Sequence, residues 1–211
     1  MRPRTLTFTM AVLDRDGISV AQKRSGAGAL TITGDLATSS VATMDVARHV
    51  AVYCAGDVNT VTFTITGTDR YGHAISETIT GVNTGTTNGT KNFKTVTAVA
   101  TDASIGTDCE VGTTDQAETA LRPVSYRSGG VTYQVRLSGS ASLTWAFEYT
   151  NENVLAQGFL EDTAAYETDL TAQTAGNMNT PEGPFTACRL AITDWTSADD
   201  SVYYITTQSD V

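Results

Sequence analysis

The feature that most constrains this chain is an alternation of period two in which threonine fills every second place. In Val61-Thr62-Phe63-Thr64-Ile65-Thr66-Gly67 the apolar Val61, Phe63 and Ile65 alternate with hydroxyl side chains. That is the pattern of a strand with one face on a core and the other toward solvent or a partner. It recurs at Val131-Thr132-Tyr133-Gln134-Val135-Arg136-Leu137 and at Leu143-Thr144-Trp145-Ala146-Phe147-Glu148-Tyr149. Shorter strands are predicted at 6–13, 18–22, 29–33, 49–54, 74–80, 93–100, 109–112, 185–193 and 202–207. No segment sustains a 3.6-residue period with caps, and 163–171 is the best helical candidate. Threonine occurs 38 times among 211 residues, an enrichment that favours pleated strands over helices.

Turn chemistry falls between these runs. Asp14-Arg15-Asp16-Gly17 and Asp69-Arg70-Tyr71-Gly72 each end a short polar stretch with glycine and read as β-hairpin turns. Thr-Ile-Thr-Gly at 31–34, 64–67 and 78–81 is shared strand-end grammar, since its spacings match no solenoid period. The Gly/Thr-rich stretch 83–90 reads as a mobile loop tip.

A chain of this length holds one large core or two modest ones, and two is the expectation. Arg122-Pro123 and Ser128-Gly129-Gly130 interrupt the strand pattern, which places the boundary at 120–130. The predicted fold is all-β, with antiparallel strands and little helix. It comprises an N-terminal β-sandwich domain at 1–120 and a C-terminal one at 121–211, of jelly-roll or immunoglobulin-like type. The polar stretch 161–184 reads either as a long loop or arm that orders against a neighbour or, equally, as a surface excursion packed on its own sheet. Met178, Pro181, Pro184 and Phe185, close together at its end, are the candidate interface residues.

The formal charge is −10 and the sequence pI about 4.5. Residues 1–120 carry 9 basic and 12 acidic side chains, and 121–211 carry 4 and 11, so the acidity is concentrated in the C-terminal part. Such a surface has little with which to displace counterions from a phosphate backbone, so nucleic acid is not an expected partner, and neither is an anionic membrane. No apolar run approaches the eighteen residues of a membrane helix, and Met1-Arg2-Pro3-Arg4-Thr5-Leu6-Thr7 lacks a signal-peptide core. Synthesis and folding in a cytoplasm are expected.

The chemistry-bearing residues do not assemble into a catalytic pattern. Cys54, Cys109 and Cys188 are far apart and form no CxxC pair, so they read as small buried hydrophobes and not as a disulfide framework or zinc site. His49 and His73 lack a visible catalytic or metal-binding constellation, and His49 and Cys54, five apart on one strand, face opposite ways. Ser25-Gly26-Ala27-Gly28-Ala29-Leu30 lacks the Lys-Ser/Thr of a phosphate loop. Asp14-x-Asp16-Gly17 lacks the later glutamate of a calcium loop, and Asp199-Asp200 reads as a charged turn. Trp145, Phe147 and Tyr149 read as core; Trp195, which follows an apolar strand, is the one aromatic residue singled out as a candidate for exposure. No catalytic, cofactor or metal site is expected.

Two stretches carry a family resemblance. Residues 63–81, which include Thr66-Gly67-Thr68-Asp69 and Glu77-Thr78-Ile79-Thr80-Gly81, are followed by Lys91-Asn92-Phe93-Lys94-Thr95-Val96-Thr97-Ala98-Val99 and by Glu110-Val111-Gly112. This succession resembles a hairpin, strand and closing strand in structural proteins of tailed-bacteriophage particles. Pro184-Phe185-Thr186-Ala187-Cys188-Arg189-Leu190 resembles a segment frequent near the end of β-domains in such proteins. Together the matched segments cover about a fifth of the chain. The resemblance implies a non-enzymatic virion protein, most simply one that decorates or cements the outer capsid surface. The alternatives are a neck, tail or head-fibre component or, in a different class, a carbohydrate-binding or adhesin module. It also implies partners: other copies of the chain, with a trimer favoured, and the major capsid protein or other virion proteins.

Overall fold

The computed structural model describes residues 4–124, 131–138, 143–181, 184–197 and 201–208. Among them there is no α-helix; the chain is nearly all β and its strand pairs are antiparallel. In order, the strands are β1 (Arg4–Phe8), β2 (Ser19–Arg24), β3 (Gly28–Leu30), β4 (Ala37–Thr38), β5 (Val41–Cys54), β6 (Thr62–Thr68), β7 (Ala74–Thr80), β8 (Gly85–Asn88) and β9 (Phe93–Thr101). There follow β10 (Ile105–Glu118), β11 (Arg122–Pro123), β12 (Val131–Ser138), β13 (Leu143–Thr150), β14 (Glu167–Gln173), β15 (Asn177–Asn179), β16 (Ala187–Trp195) and β17 (Ser201–Gln208).

The chain forms two compact units: a continuous one, Leu13–Ala117, and a split one made of Met1–Val12 with Glu118–Val211. This differs from a division into 1–120 and 121–211 in that the first strand belongs with the last. All five residues of β1 pair with β17, from Arg4 opposite Thr206 to Phe8 opposite Val202.

The continuous unit is built around two fourteen-residue strands, β5 and β10, in the order β10-β5-β9-β6-β7, with β2 on β10, β3 on β9, and β4 and β8 on β5. The threonine alternation sets the register. Val61, Phe63 and Ile65 are buried, while Thr62, Thr64 and Thr66 are half-buried or exposed. Burying each such apolar side chain contributes about 1.5–3 kcal/mol, and Phe63, Ile65, Phe93, Val96, Val99 and Val111 all share this core. The 69–72 turn joins β6 to β7 as expected. Gly72 has φ of 84°, and Asp69 accepts hydrogen bonds from the backbone N–H groups of Tyr71 and His73, both at 2.8 Å.

Three expectations for this unit are corrected. Asp14–Gly17 is not a hairpin turn: β2 pairs with β10, and the preceding strand has gone to β17. The backbone at Asp14 instead runs beside β10, accepting from Thr113 N–H at 2.8 Å. The 83–90 stretch is not a loop tip, because it contains β8, paired with β5 from Ala51–Asn88 to Cys54–Gly85. Glu77 then closes the following bend, accepting from the N–H and hydroxyl of Thr90 at 2.6 and 2.9 Å. Finally, Cys54 and Cys109 are not independent hydrophobes. They are opposite one another on β5 and β10, with Cα atoms 4.2 Å apart, and form a disulfide. Their separation of 55 residues carries no motif; sheet register alone brings them together.

The split unit holds a four-stranded sheet, β1-β17-β12-β15, and a second set, β14-β13-β16, with β11 beside β16. Aromatic rings link them. Tyr133 and Phe147 stack at 3.7 Å between centroids, Tyr204 meets Phe147 edge-on at 6.1 Å, and Phe8 meets Trp195 edge-on at 5.9 Å. Trp195 is therefore a core residue, 1% exposed, and not an open platform. Cys188 remains a buried thiol as expected, and burial pushes its pKa up to about 11.

Residues 161–184 are likewise not a free arm, and 163–171 is not helical. A single 3-10 turn at Glu161–Thr163 leads into β14, which pairs with β13, and then β15, which pairs with β12. Polar contacts fix the excursion. Asp169 accepts from the Tyr133 hydroxyl at 2.9 Å and from Asn179 Nδ2 at 2.8 Å, and Trp145 Nε1 donates to the Ala175 carbonyl at 3.1 Å. The sequence pattern misleads because edge strands bury few side chains and need little apolar content. Ser128-Gly129-Gly130 and Asp199-Asp200 lie outside the described residues.

Candidate interaction surface

The four predicted interface residues divide two and two. Met178 on β15 is 63% exposed and Pro184 is exposed. Pro181 is buried, and Phe185 is buried against Tyr149 and Phe147, with centroids at 5.1 and 6.4 Å. Phe185 belongs to the core of the split unit.

Met178 belongs to a surface that registration across the sheet makes continuous. On β12, Tyr133 and Val135 point inward and are buried, so Gln134 and Arg136 point outward. Gln134 lies opposite Met178 on one side and Ile205 on the other, and Ile205 lies opposite Thr5. One row of the outer face therefore reads Thr5, Ile205, Gln134, Met178. The next reads Thr7, Tyr203, Arg136. Beside these rows is a shallow depression of about 490 Å³, lined by residues that include Gln134, Arg136, Asn177 and Met178.

This face combines an exposed thioether, an exposed phenol ring and a guanidinium on a strongly acidic half of the chain. Met, Tyr and Arg are the residue types enriched at the centre of protein–protein contacts. Arg136, Tyr203 and Ile205 were not singled out from sequence. The signal was there in Tyr203-Tyr204, since adjacent aromatics in a strand must face opposite ways; Tyr204 is fully buried and Tyr203 is 37% exposed.

The other flagged residues serve the fold. His49 Nδ1 lies 3.3 Å from Gln116 Oε1, and His73 Nδ1 lies 3.0 Å from Asp69 Oδ2, in separate parts of the continuous unit. Arg189 is buried, with Nε 2.7 Å from Glu148 Oε2, Nη1 3.5 Å from Glu161 Oε1, and its guanidinium 3.7 Å above the Tyr166 ring. Burial raises the Tyr166 hydroxyl well above its ordinary pKa. Among the described residues, no group of three His, Cys, Asp or Glu side chains is placed to hold a metal ion. Among the same residues no helix is long and apolar enough to cross a membrane.

The phage-like motif residues are also structural. Asp69 organises the β6–β7 turn, Glu77 holds the bend after β8, Thr68 and Thr95 share a 2.7 Å hydroxyl contact, and Phe93 is fully buried. No family model, curated protein or solved structure matches the chain.

Proposed function

We propose that this chain is a non-enzymatic structural protein of a tailed-phage particle, built as two β-sandwich domains, that decorates or cements the outer surface of the capsid. One observation supports the reading above the others. Three of the segments that carry the phage resemblance, 63–81, 91–99 and 110–112, fall in the continuous unit on β6, β7, β9 and β10, the fourth leads into β16 of the split unit, and Asp69, Glu77, Thr68 and Thr95 of the first three are spent on turns and strand contacts. A motif spent this way encodes a rigid module and leaves its chemistry to the surface. The outer face around Met178, Tyr203 and Arg136 supplies a contact of the type such a protein needs, with copies of itself and with the shell beneath.

Light scattering on the purified chain and averaged density of the particle from the same genome test the proposal together. A trimer in solution, with density on the outer shell, is the expected result. Density at the neck, tail or fibre assigns the chain to those components instead. A monomer that associates with no particle overturns the virion reading.

A further inference from the structure

The continuous unit carries a groove of about 500 Å³, within the range of ligand-binding clefts, which the structural role proposed above does not use. We propose that this groove is a binding site for an uncharged saccharide.

The floor follows from strand alternation. On β5, Val50, Val52 and Cys54 point into the core, so Ala51 and Tyr53 point to the opposite face. Thr86 and Asn88 of β8 stand beside Tyr53 and Ala51 on one side. Glu110 and Gly112 of β10 stand beside them on the other. A Cβ at Gly112 would run into the Asp14 carbonyl, so glycine is what lets the 14–15 backbone cross β10 here. The crossing places the Arg15 guanidinium 3.0 Å from the Tyr53 ring centroid and its Nε 2.5 Å from Glu110 Oε2.

The far wall is made by an interruption of β10. Its register with β5 breaks between Thr113 and Ala117. Arg48, only 1% exposed, donates from Nε to the Thr114 carbonyl at 3.0 Å and reaches the same oxygen with Nη2. A buried guanidinium is costly, and here one is committed to a strand irregularity of the kind that re-aims side chains beside binding sites. The residue that follows Thr114 is Asp115, which lines the groove.

The lining then has a definite chemistry. Thr86, Asn88 and Asp115 bring a hydroxyl, an amide and a carboxylate to the cleft, beside the half-buried Tyr53. Paired donors and acceptors in a cleft match the adjacent hydroxyls of a sugar, while one face of the Tyr53 ring is already taken by Arg15. The charges choose among sugars. Arg15 is neutralised by Glu110, so the groove offers a phosphate or carboxylate no unspent cation, and Asp115 repels anions.

The test is a glycan array carrying neutral and sialylated oligosaccharides, probed with the whole chain, followed by titration of the best neutral hit. Binding to neutral glycans is expected, with sialylated forms weaker. Asp115→Asn and Asn88→Ala should each lower affinity about tenfold or more, the scale of losing a hydrogen bond to sugar, without moving the unfolding midpoint. Met178→Asp, on the split unit, should leave glycan affinity unchanged, which keeps this result separate from particle association. An array without neutral hits, a preference for sialylated glycans, or affinity indifferent to both groove substitutions overturns the proposal.

Discussion

Cys54 and Cys109 face each other across β5 and β10 and are joined, so the 55-residue span between them, which contains β6 to β9, is a closed loop. A cross-link of this span removes roughly 4 kcal/mol of unfolded-state entropy in the chain-closure treatment. The double variant Cys54→Ala, Cys109→Ala should lose stability on that scale in denaturant titrations. Thiol counting checks the chemistry independently. The folded, unreduced protein should react with no thiol reagent, because Cys188 is buried and its pKa lies near 11. The unfolded, unreduced chain should show one thiol, and the reduced unfolded chain three.

Arg189 supplies the second prediction. Its guanidinium lies over Tyr166 and reaches Glu148 and Glu161, and its side chain is only 10% exposed. Arg189→Ala leaves those carboxylates without their cation and should cost about 3–5 kcal/mol. Arg189→Lys should recover only part of this, since an ammonium cannot reproduce the flat face over the ring. Chemical denaturation of both variants decides the point.

Trp145 and Trp195 are the chain's two tryptophans, 0% and 1% exposed, and both lie in the split unit. Intrinsic tryptophan fluorescence should therefore be blue-shifted, resist iodide quenching, and report the unfolding of that unit alone. Emission of an exposed indole in the native protein would contradict the packing of Trp195 against Phe8.

Burial raises the Asp14 carboxyl above its ordinary pKa. The folded chain then holds that proton more tightly than the unfolded chain. Relative to acid, the ionised group destabilises the fold progressively as pH rises from the ordinary carboxylate value through the raised one, and the cost is then constant. Asp14→Asn should accordingly be more stable than the parent at pH 7, with the advantage shrinking below pH 4. Thermal midpoints measured at both pH values test the sign.

Much of the fold was legible because its signal is local. The threonine alternation gave β6, β12 and β13 with their inward faces, and the 69–72 turn gave the β6–β7 hairpin. What escaped was set by register between distant strands. Nothing near Cys54 announces Cys109, and nothing in 161–184 announces two edge strands whose main-chain bonds and Asp169 contacts replace apolar burial. The outer face around Met178 was half legible. Met178 was named from sequence, but its neighbours Ile205 and Tyr203 join it only through the pairing of β12 with β17 and β15. Phe185 shows the converse error, since an apolar residue near a polar stretch was a core residue of the following strand region.

The pairing of β1 with β17 also orders events in time. As the chain leaves the ribosome, residues 13–117 are complete long before the partner of the first strand has been made. Until residues 201–208 emerge, β1 has an unfilled edge available to strands of other nascent chains. A transcript truncated before that point should consequently yield a species with its continuous unit formed and its first strand unpaired, one that is prone to associate through strand exchange.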